Sequence, residues 1–220
     1  MRARVRIHMV AVAGLLCAGL SVPAGARAAA VAPPNVYPPF SLFEFHADEA
    51  GSRAPFCAAG CALAQAAAGQ THVSYKGKTY PAYYYGVTPL GVARRESTAE
   101  YGVDIFDNAS DAASYSALTK ERSSDDEGTP TLSPLTVAHP VAPNEFIVGQ
   151  RTAGGCIVAG GLSYRNLSMY VSVTTQQNID RSSHCTGEAR FVDAVLGLLY
   201  VRVNSYATSG HAAVRGQPAR

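Results

Sequence analysis

Beyond its first 28 residues the chain has no run of about 20 apolar residues, so nothing downstream is long enough for a membrane-spanning helix. It also lacks clustered cations. Lys76-Gly77-Lys78 and Arg94-Arg95 are the largest groupings, and both read as solvated surface rather than a footprint for nucleic-acid phosphates. There is no Gly-x-Ser-x-Gly elbow, Walker loop, His-Glu-x-x-His helix or Gly-x-Gly-x-x-Gly turn, which leaves the enzymes marked by those motifs without direct support. No histidine stands at helical spacing beside Cys57-Ala-Ala-Gly-Cys61, so that pair lacks the third ligand of a soft-metal site. No catalytic residue, metal or cofactor is assigned.

Residues 1–28 have the form of a secretory signal: Arg2, Arg4 and Arg6, then an apolar core, then small residues at 24–28. Cys17 is discarded with it. The segment carries four arginines and no acid, so its removal turns a formal charge of +2 into −2. The expected setting is therefore the extracellular space or the cell envelope, with no membrane span after cleavage. Four cysteines remain, 57, 61, 156 and 185, and in an exported chain they read as two disulfides with three possible connectivities. Cys156 with Cys185 is favoured, because a hairpin of residues 155–161 and 165–173 would return the chain beside Cys156. Cys57 with Cys61 then remains, a pair whose Cβ atoms would sit too far apart for a relaxed bridge inside a regular helix, unless Gly60 loosens the turn.

The clearest elements lie late. Leu167, Met169, Val171 and Val173 alternate as in a half-buried strand. Phe191, Val192, Val195, Leu196, Leu198 and Leu199 form a broad apolar helix face, with Thr186 as cap, Glu188 in the first turn and Asn204 as a stop. Earlier, residues 29–40 read as an extended Pro-rich leader, 41–46 as a short strand and 55–68 as an Ala-rich helix ending at Gly69. Residues 72–75 and 79–85 flank Gly77 as a hairpin, with Pro81 implying an edge or bulge. Residues 99–106 read as a strand, followed by a helix over 111–122 with Ala112, Tyr115 and Leu118 inward. Residues 123–143 read as a long exposed loop and 145–151 as a further strand.

These elements specify one α+β domain over residues 41–206, a mainly antiparallel sheet packed by two or three helices and disulfide-bonded, followed by a disordered tail from 207 to 220. The order strand, helix, Cys156, Asn166 leading an alternating strand, and the apolar helix through residues 189–199 resembles the extracellular sensor domain of actinobacterial Ser/Thr kinases and related secreted lipoproteins. That family has tryptophans near its cysteines and this chain has none, so the resemblance implies an architecture and a broad binding or sensing role, but no ligand and no binding residue.

Three functions follow as expectations. The first is a secreted non-enzymatic binding or sensor-like domain, whose partner would be an extracellular peptide, glycan, lipid or protein. Its recognition surface is expected among Tyr80, Tyr83, Tyr84 and Tyr85, since tyrosine offers large amphipathic contact area at small rotamer cost. The second is a cell-wall peptidase or L,D-transpeptidase-like enzyme using Cys185 with His184, which requires a free thiol. The third is a small inhibitor or interaction protein acting through the acidic residues 125–127.

Overall fold

The computed structural model describes residues 33–44, 62–90, 98–125, 132–136, 140–153, 155–175 and 185–210. Cys57, Cys61, His184, Glu127 and the stretches 1–32 and 211–220 lie outside them, and with them the signal and the second disulfide; of the segment read as a disordered tail, Ala207 and Thr208 instead belong to the last helix, where Ala207 is buried.

Seven antiparallel strands form one sheet: β1 (Ala62–Tyr75), β2 (Lys78–Leu90), β3 (Thr98–Ile105), β4 (Ser133–Pro134), β5 (Phe146–Arg151), β6 (Cys156–Tyr164) and β7 (Leu167–Thr175), in the spatial order β1-β2-β3-β7-β6-β5-β4. Helix α1 (Ala109–Asp125) follows β3, and helix α2 (Thr186–Thr208) ends the described fold. The class is α+β, as the alternation in β7 and the short links predicted.

The alternation in β3 and β7 sorts side chains to two faces. Tyr101, Val103, Leu167, Met169, Val171 and Val173 are buried in the main core with Phe191, Val192, Val195, Leu196, Leu199 and Val203 of α2. The helix therefore uses the apolar stripe read from its sequence. On the opposite face, α1 packs Ala112 against Tyr80 and Phe106. Asn108 caps α1, its Oδ1 accepting the Asp111 N–H at 2.8 Å.

Cys156, paired in register with Thr175, is bonded to Cys185 with a Cα separation of 5.8 Å. Thr175 ties this corner together. Its hydroxyl accepts the Cys156 N–H at 3.1 Å and donates to Oε1 of the fully buried Glu188 at 2.9 Å.

Several expectations are corrected. Residues 62–69 are strand, not helix: the Ala-rich run pairs with β2, and that tertiary ladder overrides alanine's preference for helix. Residues 40–43 form a 3-10 turn rather than a strand. The supposed long loop is helical up to Asp125 and contains β4. Cys185, not Thr186, holds the cap position of α2, with φ of 54°, and the helix continues past Asn204 because that side chain instead accepts the Tyr164 hydroxyl at 2.8 Å.

The Pro-rich leader is part of the fold, whose compact unit begins at Pro33. Its prolines lack donors, and side chains of the domain satisfy its carbonyls. Buried Asn166 accepts the Val36 N–H at 2.6 Å and donates to the Val36 and Phe106 carbonyls at 3.0 Å each. Tyr83, Tyr85 and Tyr101 donate to Pro38, Phe40 and Phe43, and Arg202 donates to Leu42 and Glu44.

Candidate functional site

The four tyrosines singled out by sequence divide between the two faces, as alternation requires. Tyr85 is fully buried, its ring stacked between Phe40 and Tyr101 at centroid distances of 4.9 and 4.7 Å. Tyr83 is half-buried on the same face, edge-on to Phe40 at 5.3 Å. Tyr80 is buried beneath α1, 4.8 Å from the Phe106 ring. Only Tyr84 is both partly exposed and on the face opposite α2.

Pro81 explains how such a ribbon sits inside a sheet. The turn at Lys76-Gly77, both at positive φ, makes Tyr75 and Lys78 the first hydrogen-bonded pair, so odd-numbered residues of β2 point their backbone groups toward β3. The β2–β3 ladder begins at Ala82, and Pro81 therefore omits no bond. The strand is an interior one, flanked by β1 and β3, rather than the edge strand its proline suggested.

Around Tyr84 the register builds a transverse row. Gly69, Tyr84, Gly102, Tyr170, Gly161 and Phe146 stand opposite one another in succession across β1, β2, β3, β7, β6 and β5. Glycines alternate with rings because each ring needs room above its neighbour's backbone. A Cβ on Gly102 would lie 2.2 Å from the Tyr170 ring, and one on Gly161 would lie 3.0 Å from Phe146. At Gly69 the pattern opens, with nothing within 4 Å of that position. The sequence held a signal for this row, since isolated glycines inside strands mark close approach of another group, but strand register was needed to align them.

Carboxyl groups flank the row. Glu100 accepts the Ser172 hydroxyl at 3.2 Å, and its charge acts on the nearby Tyr84 phenol. Asp104 is 5% exposed, and burial raises its pKa from 3.8 to about 7. Tyr170 lies between them in register, and its phenol is pushed up by burial, then by Asp104 and Glu100. The Tyr84 phenol is raised too, by burial and then by Glu100. The arrangement offers aromatic faces and acceptor oxygens beside an open glycine, which suits binding a donor-rich or cationic group.

A second feature is a surface pocket of about 280 Å³ edged by Pro134, Pro140, Pro143 and Phe146, with Lys120 and Glu145. Burial raises the Glu145 carboxyl to about 7, and the charge of the nearby Asp193 adds to the rise. Glu145 also accepts the Val141 N–H at 2.7 Å. Of the two acids only Glu145 lines the pocket, so the pair does not present two carboxyls to one ligand.

Cys185 is not a nucleophile here, since its sulfur is bonded to Cys156. A transpeptidase-like reading would need this bond opened to free the thiol. Among the described residues no group of three or more His, Cys, Asp and Glu is placed to hold a metal ion, and no helix is long and apolar enough to cross a membrane. No family profile, curated protein or solved structure matches this chain.

Proposed function

We propose that the protein is a secreted, non-enzymatic binding or sensor-like domain of the bacterial envelope or extracellular space, and that it binds through the face bearing Tyr84. The observation that carries this reading is the open end of the glycine–aromatic row. A half-buried tyrosine, near the charge of Glu100, borders unfilled space over Gly69. The resemblance to extracellular sensor domains is consistent with the same role. Among extracellular partners, the aromatic face of Tyr84 and the acceptor Glu100 favour a peptide presenting lysine or arginine, through cation–π attraction and charge-assisted hydrogen bonds.

The test is a titration with lysine- and arginine-containing hexapeptides, followed by amide NMR. Shifts are expected to concentrate at Gly69, Tyr84, Glu100 and Gly102 and to weaken with salt. Tyr84→Ala should lower affinity by about 1 to 2 kcal/mol with little loss of stability, as for an aromatic interface residue. Shifts confined to the Glu145 pocket, or none with any peptide, would refute this assignment.

A further inference from the structure

The two ends of the sheet differ. At one end β4 has two residues, one of them Pro134, and presents almost no ladder to another chain. At the other, β1 runs for 14 residues, Ala62–Tyr75, without a proline, lysine, arginine, aspartate or glutamate. Those are the residues with which edge strands normally repel other strands. Its bulge, between Gln65 and Ala67, leaves residues 68–75 in unbroken register with β2. Among the described residues no strand pairs with its outer side. Ala68, Gln70, His72 and Ser74 leave one face of this stretch exposed, and on the other Thr71 is exposed while Val73 and Tyr75 pack against the cluster of Tyr80 and Phe106.

The turn fixes which backbone groups point outward. Tyr75 and Lys78 form the first hydrogen-bonded pair, so Val73, Thr71 and Gly69 bond to β2. Ser74, His72, Gln70 and Ala68 direct their N–H and C=O groups away from the sheet. An added antiparallel strand would bond to these four.

We infer that β1 pairs antiparallel with β1 of a second copy of this chain, about a two-fold axis near Thr71. A two-fold contact sets a strand against itself, so a charge near its centre would face its own like. An uncharged strand meets that condition. With Thr71 on the axis, Gln70 stands opposite the second copy's His72 as a hydrogen-bonded pair, and the outward backbone groups of both strands coincide. Thr71 meets Thr71 at a close, non-hydrogen-bonded position, a favourable cross-strand pair. Gly69 stands opposite the second copy's Val73, a small residue beside a branched one. The contact extends the sheet to 14 strands in two copies and leaves the outer faces of Tyr84 and Tyr170 uncovered.

Sedimentation of the purified protein over a concentration series to about 1 mM, the weak end of specific association, tests this. The weight-average mass should rise toward twice the monomer value. Thr71→Lys and Thr71→Glu should each sediment as monomers while melting like the parent. An equimolar mixture of the two should regain the doubled mass. Gln70→Pro, which removes an outward N–H and no bond to β2, should also abolish association. A monomer at every concentration would overturn the inference, as would a dimer indifferent to all three substitutions. An edge that takes an added strand peptide but never a second copy would overturn it too.

Discussion

Gly69 and Gly102 flank Tyr84 in the same row yet occupy opposite situations. A methyl on Gly102 would run into the Tyr170 ring, whereas at Gly69 the space is empty. Gly102→Ala should therefore cost about 1 to 3 kcal/mol, the range for overpacking. Gly69→Ala should be neutral or stabilising by up to about 1 kcal/mol, since alanine restricts the unfolded chain more than glycine does. Chemical-denaturation midpoints with unchanged slopes decide between them. Equal losses would place a hidden neighbour over Gly69 and remove the open site.

Asp104 makes the second residue-scale prediction. Its folded pKa, about 7, lies above the ordinary 3.8 because burial disfavours the charge. Protonation therefore favours the folded state. The stability associated with it is fully present below about 3.8 and is lost as pH rises through 7. The shift sets an upper limit of roughly 4 kcal/mol. Asp104→Asn should be more stable than the parent at pH 8.5 and closely similar at pH 4, as read by urea unfolding at both values. A parent advantage at pH 8.5 would show that the ionised carboxylate is held by favourable contacts.

At the scale of elements, the disulfide joins the start of β6 to the cap of α2 across 29 positions. Closing such a loop contributes about 3.6 kcal/mol in the chain-entropy treatment. Cys156→Ser, or reduction, should shift unfolding by about that amount, and the loss should be larger than that from Cys57→Ser. Equal losses in denaturant midpoint would argue against this ranking. The N-cap of α1 offers a smaller test: Asn108→Ala should cost about 1 kcal/mol, measurable as a fall in melting temperature.

For the whole molecule, two carboxyl groups share one sign. Asp104 and Glu145 both rise to about 7, from 3.8 and 4.5. Each is easier to fold around when protonated, so stability should be greater at pH 5 than at pH 8, against the usual decline of proteins on acidification. Thermal melts across that range check it, and the double variant Asp104→Asn with Glu145→Gln should flatten the profile. A parent protein more stable at pH 8 would contradict the burial of both groups.

Much of the fold was legible in local pattern. The alternation of Leu167, Met169, Val171 and Val173, the apolar stripe of α2, the Gly77 hairpin and the cysteine pairing that follows from the β6–β7 hairpin all rest on short-range periodicity and chain return. Each survives in the structure because burial and propensity agree there. Three features did not follow from sequence, for one physical reason: they depend on partners remote in the chain. The Ala-rich run to Gly69 is strand because β2 offers it a ladder. The Pro-rich segment is anchored because Asn166, 130 positions away, bonds both sides of Val36. The candidate site arises only when strand register brings Gly69, Tyr84, Gly102 and Tyr170 into one row. Local sequence determined which residues prefer to be strand, helix or turn, and which face of each is apolar; tertiary pairing decided which glycine lies beneath which ring, because register is a relation between segments that no single segment contains.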